Sequence, residues 1–188
     1  MDCDSWSSKG NRGLPGSNMG ASDILETFVI HGQTSASINS QNAEEARILL
    51  QFDVSQISTD RTNGTIPTSG NVDFVLKLSN AEHADTLPED LTLDIKIISA
   101  SWDEGRGLDM DSYKDIGQCS WVSASATTKW NATGSEYFTA THVNNFSASV
   151  RFPNGNEDLE VNVTPAVEDW IAGTRNNYGF LIKNTDLA

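Results

Sequence analysis

Asp103, Glu104, Asp109, Asp111 and Asp115 crowd one glycine-bearing stretch of the chain, Trp102-Asp-Glu-Gly-Arg-Gly-Leu-Asp-Met-Asp-Ser-Tyr-Lys-Asp115. Hard cations such as calcium take several carboxylate oxygens converging at about 2.4 Å, so a cation site would be sought here first. The spacing does not match the EF-hand loop. The plainer reading is a solvated acidic hairpin or a docking surface for a partner, with no cofactor, and calcium is the one ion weighed against it.

Trp102, Trp121 and Trp130 fall in or beside the same loops. Exposed indole faces could stack sugars while neighbouring acids and amides bond the hydroxyls, which would make a carbohydrate-binding site. Against this stands the common use of large amphipathic rings as core or loop anchors. Catalysis has less to offer. His31, His83 and His142 stand in unrelated segments, and no nucleophile elbow or metalloprotease signature accompanies them. With 26 acidic residues, a chance carboxylate pair carries no weight without a cleft and a raised pKa. The chain reads as a non-enzyme.

The elements that would position these residues are mostly strands. From Arg47 to Val54, Ile48, Leu50, Phe52 and Val54 face one way while Arg47, Gln51 and Asp53 face the other. Val72, Phe74, Leu76 and Leu78 alternate in the same way, as do Leu91, Leu93, Ile95 and Ile97. Further strands are expected at Ile24–Ile30, Ser147–Phe152, Leu159–Val163 and Tyr178–Lys183, with a polar loop over 58–70. One short helix is expected at about 165–172. Thr164 offers its N-cap, Pro165 fills the first helical position, Val167, Trp170 and Ile171 form the apolar stripe, and Gly173 supplies the stop. Many short strands with turn signals between them point to an all-β chain, a jelly-roll-like β-sandwich.

A length of 188 residues suits one core. Residues 1–22, rich in Ser, Gly, Asn and Asp, read as a flexible or partner-ordered arm, and residues 23–188 as the sandwich domain. A net charge of −14, with the twelve basic residues scattered singly, disfavours nucleic acid and anionic lipid. No apolar run approaches the ~20 residues of a membrane helix. Met1-Asp2-Cys3-Asp4 lacks the basic and apolar regions of a signal peptide. Two cysteines, Cys3 and Cys119, support neither a zinc site nor a disulfide framework, and Cys3 in the leader is expected as a free thiol, a single Cys3–Cys119 bridge being the alternative. Arg47, beside Glu44 and Glu45, is expected to form an interior or edge ion pair.

The order of motifs Arg47-Ile-Leu-Leu-Gln-Phe-Asp-Val-Ser, Ser101-Trp102-Asp-Glu, Thr128-Lys-Trp130-Asn and Val161-Asn-Val-Thr-Pro to Leu181-Ile-Lys183 resembles the DNRLRE-type β-sandwich domain. The version in structural proteins of tailed bacteriophages is more similar still, because there too an insertion separates the Trp-x-Glu and Thr-Trp-Asn steps. The resemblance implies a structural protein of a virion, in capsid, neck or tail, whose partners are other virion proteins and copies of itself. The alternative is a carbohydrate-binding module of a tail fibre or a secreted polysaccharide-degrading enzyme, with glycan held by Trp102, Trp121 or Trp130.

Overall fold

A computed structural model describes residues 2–8, 18–31, 43–82, 87–107, 118–138 and 146–185. Alternation of apolar and polar residues has produced strands, and they assemble into two antiparallel sheets accompanied by two short helices. The strands are β1 (Asp2–Ser8), β2 (Val29–His31), β3 (Ala43–Leu50), β4 (Val75–Leu78), β5 (Leu91–Ile97), β6 (Ser147–Phe152), β7 (Leu159–Asn162) and β8 (Phe180–Asn184). The helices are α1 (Ser55–Thr62) and α2 (Thr164–Ile171). The larger sheet runs β1-β3-β8-β5-β6, with β2 also on β3, and the smaller joins β4 to β7.

At β3 and β8 the larger sheet is buried on both faces, which the period-two reading of Arg47–Val54 did not anticipate, whereas the outer face of β6 is exposed at Ser147, Ser149 and Arg151. On one face Ile48, Leu50, Leu93, Ile95, Ile97, Phe180 and Ile182 meet Leu76, Leu159 and Val161 of the smaller sheet and Ala166, Val167 and Trp170 of α2. On the other, Leu49 and Leu181, both fully buried, lie under a layer built from Trp102, Cys119, Ala124 and Trp130. Each Leu or Ile side chain so covered is worth about 1.5–3 kcal/mol over its exposed state. The loops after β5 are therefore a second packing layer.

Several boundaries differ from expectation. The strand begun at Ala43 ends at Leu50, and Phe52, expected to face inward, is 47 % exposed. The strand expected at Ile24–Ile30 is reduced to Val29–His31, and Val75 rather than Val72 opens β4. By contrast β5 and β6 occupy Leu91–Ile97 and Ser147–Phe152, the bounds expected for them.

A single helix was expected, and the described residues hold two. Helix α1 carries no apolar stripe and buries no residue, so periodicity is silent about it. It starts where the Asp53 carboxylate accepts the Ser55 amide at 2.8 Å, which also holds that carboxyl below its usual range. Helix α2 has the expected Pro and the expected stop, with Gly173 at φ 71°. Its Thr164 hydroxyl does not cap it, however. That oxygen accepts the Phe74 amide at 2.8 Å and so fastens the helix start to the strand beside it.

Candidate functional site

The polar chemistry of the described residues gathers on the outer face of the larger sheet, around Arg47. Arg47 and Glu45 are two apart on β3, so their side chains share a face. Nε of Arg47 donates to Oε1 of Glu45 at 2.6 Å, and the side chains are only 11 % and 6 % exposed. Nη1 of Arg47 donates to the Gly134 carbonyl at 2.6 Å, and the guanidinium carbon lies 4.5 Å from the Trp121 ring centre. The expected ion pair is thus buried, bonded to the loop layer and stacked on an indole. Gly134 has φ 80°, and a Cβ there would stand 2.6 Å from Nη1 of Arg47 and 2.9 Å from Cζ2 of Trp121.

A second constellation was missed by sequence reasoning. Asn18, 1 % exposed, donates from Nδ2 to the Cys119 carbonyl at 3.2 Å and accepts the Gly107 amide on Oδ1 at 2.9 Å. The Ala21 amide returns a bond to the Gly107 carbonyl at 3.1 Å. Gly105 and Gly107 form the cradle, since a Cβ on either would come within 2 Å of Asn18 atoms, 1.9 Å and 1.7 Å respectively. The Gly-Arg-Gly step 105–107 is the signal that could have been read as a close backbone approach. Its partner, near the start of the chain, could not.

The three tryptophans come together in this layer as packed rings. Trp102, Trp121 and Trp130 are 5 %, 9 % and 6 % exposed. Nε1 of Trp102 donates to the Tyr178 carbonyl and Nε1 of Trp130 to the Ser120 carbonyl, each at 2.8 Å. Sugar stacking needs an open ring face, and these rings are spent on packing.

Of the acidic group, Asp103 is exposed and Glu104 half-buried, while Asp109, Asp111 and Asp115 lie outside the described residues. The Asp103 main chain is a strut of the layer: its amide donates to the Ala124 carbonyl and its carbonyl accepts the Cys119 amide, both at 2.9 Å. Among the described residues no three His, Cys, Asp or Glu side chains are grouped to hold a metal ion. His31 stands in β2, and His83 and His142 lie outside the described residues. The free thiol expected at Cys3 gives way to the alternative of a bridge, because Cys119 is disulfide-bonded and Cys3 is the other cysteine of the sequence.

At the other end of the inner core from α2 there is a cavity of about 330 Å³ between the sheets. Ile48, Leu93, Phe152, Leu159 and Ile182 line its depth, and Asp23, Asn80 and Glu157 stand at its wall. Glu157 is engaged with the neighbouring turn, its Oε1 accepting the Asn154 amide at 3.0 Å and Nδ2 at 2.9 Å. Among the described residues no helix is long and apolar enough to cross a membrane. No family model, curated protein or solved structure matches the chain.

Proposed function

We propose that this chain is a non-enzymatic structural component of a bacteriophage virion, a jelly-roll-like sandwich of the DNRLRE type that acts in capsid, neck or tail through protein–protein assembly. The motif order from Arg47 to Lys183 supports the family reading. The observation that carries the mechanism is the edge pairing of β1 on β3, antiparallel and in unbroken register from Asp2 opposite Leu50 to Ser8 opposite Glu44. Adding a strand to an exposed edge is how an N-terminal segment docks by main-chain hydrogen bonds, with little demand on side-chain identity.

Other features agree with an assembly role. A sheet covered on one face by the inner core and, at β3 and β8, on the other by a loop layer with its tryptophans turned inward keeps its capacity for strand pairing at its edges. The net charge of −14 keeps copies soluble at high local concentration. A disulfide at Cys119 fits an oxidising location, and a virion surface is one.

The test is to mix the purified chain with purified virion proteins of a phage that encodes it, and to follow sedimentation and cryo-EM density. Specific incorporation into capsid, neck or tail is expected. A chain that stays monomeric in every mixture, and is missing by mass spectrometry from purified particles, sinks the reading.

A further inference from the structure

Among the described strands, β1 lies at the end of the larger sheet and pairs with β3. A strand at the end of a sheet is among its first parts to separate. Something beyond its main-chain bonds is needed to keep it in place.

Two observations point to a covalent tie. Cys119 is disulfide-bonded, and the sequence holds one other cysteine, Cys3, which lies in β1. Independently, the β1–β3 register sets Cys3 opposite Leu49. Leu49 and Cys119 are both fully buried and belong to the same apolar cluster under the loop layer. Counting and register bring the N-terminal strand to the same place.

We propose that the Cys119 disulfide is a redox latch that fixes the N-terminal strand on the β3 edge. Closing it takes two protons and two electrons from the two thiols. The acceptor is a small-molecule disulfide, which leaves as two thiols by way of a mixed disulfide. Opening is the reverse, begun by a thiolate attacking one sulfur of the protein bond. Since Cys119 is fully buried, a reductant reaches the bond only when the edge opens, so the latch yields slowly in the folded chain and at once in denaturant. With the latch open, β1 rests on β3 without a covalent tie, and the β3 edge becomes available to another strand.

Thiol counting and hydrogen exchange test this on the full chain. Purified without reductant and unfolded in guanidinium, the chain takes no iodoacetamide label, and after reduction with a phosphine it takes one on each cysteine. Amides 2–8 lose protection by about tenfold or more on reduction, and by the same amount in Cys3→Ser, while amides of β5 are unchanged. Cys3→Ser leaves the buried Cys119 in place and so preserves the core, and reduction of the unaltered chain gives the same information without a substitution. Two labels before reduction, unchanged exchange of 2–8 after it, or a covalent dimer on non-reducing electrophoresis would each overturn the latch.

Discussion

The guanidinium of Arg47 lies over the ring of Trp121, 4.5 Å from its centre, with Glu45 bonded to the same guanidinium at 2.6 Å. One cation thus joins the main strand of the larger sheet to the loop layer that covers it. Removing it leaves the Glu45 carboxylate buried with its cation gone, which costs more than the pair itself contributes.

Arg47→Met is therefore expected to lower stability by about 3–5 kcal/mol in urea denaturation. Adding Glu45→Gln to that variant should recover part of the loss, because the orphaned charge goes with it. Arg47→Lys should fall between, as a point charge cannot bond Glu45 and Gly134 together while stacking on the indole. Equal stability of Arg47→Met and the parent chain would show that the cluster carries no structural load.

Gly134 meets two demands at once, a left-handed φ of 80° and the absence of a Cβ where Arg47 and Trp121 close in. Gly134→Ala should cost about 1–2 kcal/mol for the backbone alone, with a further loss from displacing Arg47. A double-mutant cycle with Arg47→Met isolates the part owed to the guanidinium, since that contact vanishes while the one with Trp121 remains. Strict additivity would mean that the contact is relieved without strain.

Strand β5 and helix α2 were legible in the sequence because their signals are local. Leu91–Ile97 alternates without interruption, and Val167, Trp170 and Ile171 repeat at helical spacing. Helix α1 escaped notice because no residue on it is fully buried and Ile57 alone of its apolar side chains packs against the core, too little to set up a periodic stripe. Leu49 and Leu181 were passed over for another reason. Their neighbours Arg47 and Lys183 made that face look solvated, while the cover over it comes from loops 50 or more residues distant in the chain. The same non-locality hid Asn18, whose purpose exists only once Gly105, Gly107 and Cys119 are folded around it.

Asn18 joins the leader to that layer by using both ends of its amide. Asn18→Ala leaves the Gly107 amide and the Cys119 carbonyl without their partner, and about 2 kcal/mol is the expected loss. Asn18→Asp should be worse, for it turns an oxygen rather than an N–H toward the Cys119 carbonyl. Exchange of the Gly107 amide should rise in both variants, and unchanged protection there would refute the anchor.

Arg61 of α1 and Glu168 of α2 meet as a two-pronged pair, Nη1 to Oε2 at 2.8 Å and Nη2 to Oε1 at 2.5 Å. The Arg61 hydrogen bonds hold the Glu168 carboxyl below its ordinary value of 4.5, outweighing the opposing effect of burial. A carboxyl depressed in the folded state binds its proton more readily in the unfolded one, so its stabilisation is complete above that ordinary value and drains away as pH falls through the folded pKa. Asp53 and Asp90 are shifted in the same direction, by the Ser55 amide and by Arg151 respectively. The parent's own acid profile therefore mixes several groups, and only a difference isolates this pair. The gap in Tm between the parent and Glu168→Gln should be widest near about pH 6 and narrow toward about pH 3. Arg61→Gln should reproduce the narrowing, because the shift vanishes from either side of the pair. A gap that stays constant across that interval would assign the helix contact to packing and remove the ion pair from the account of acid stability.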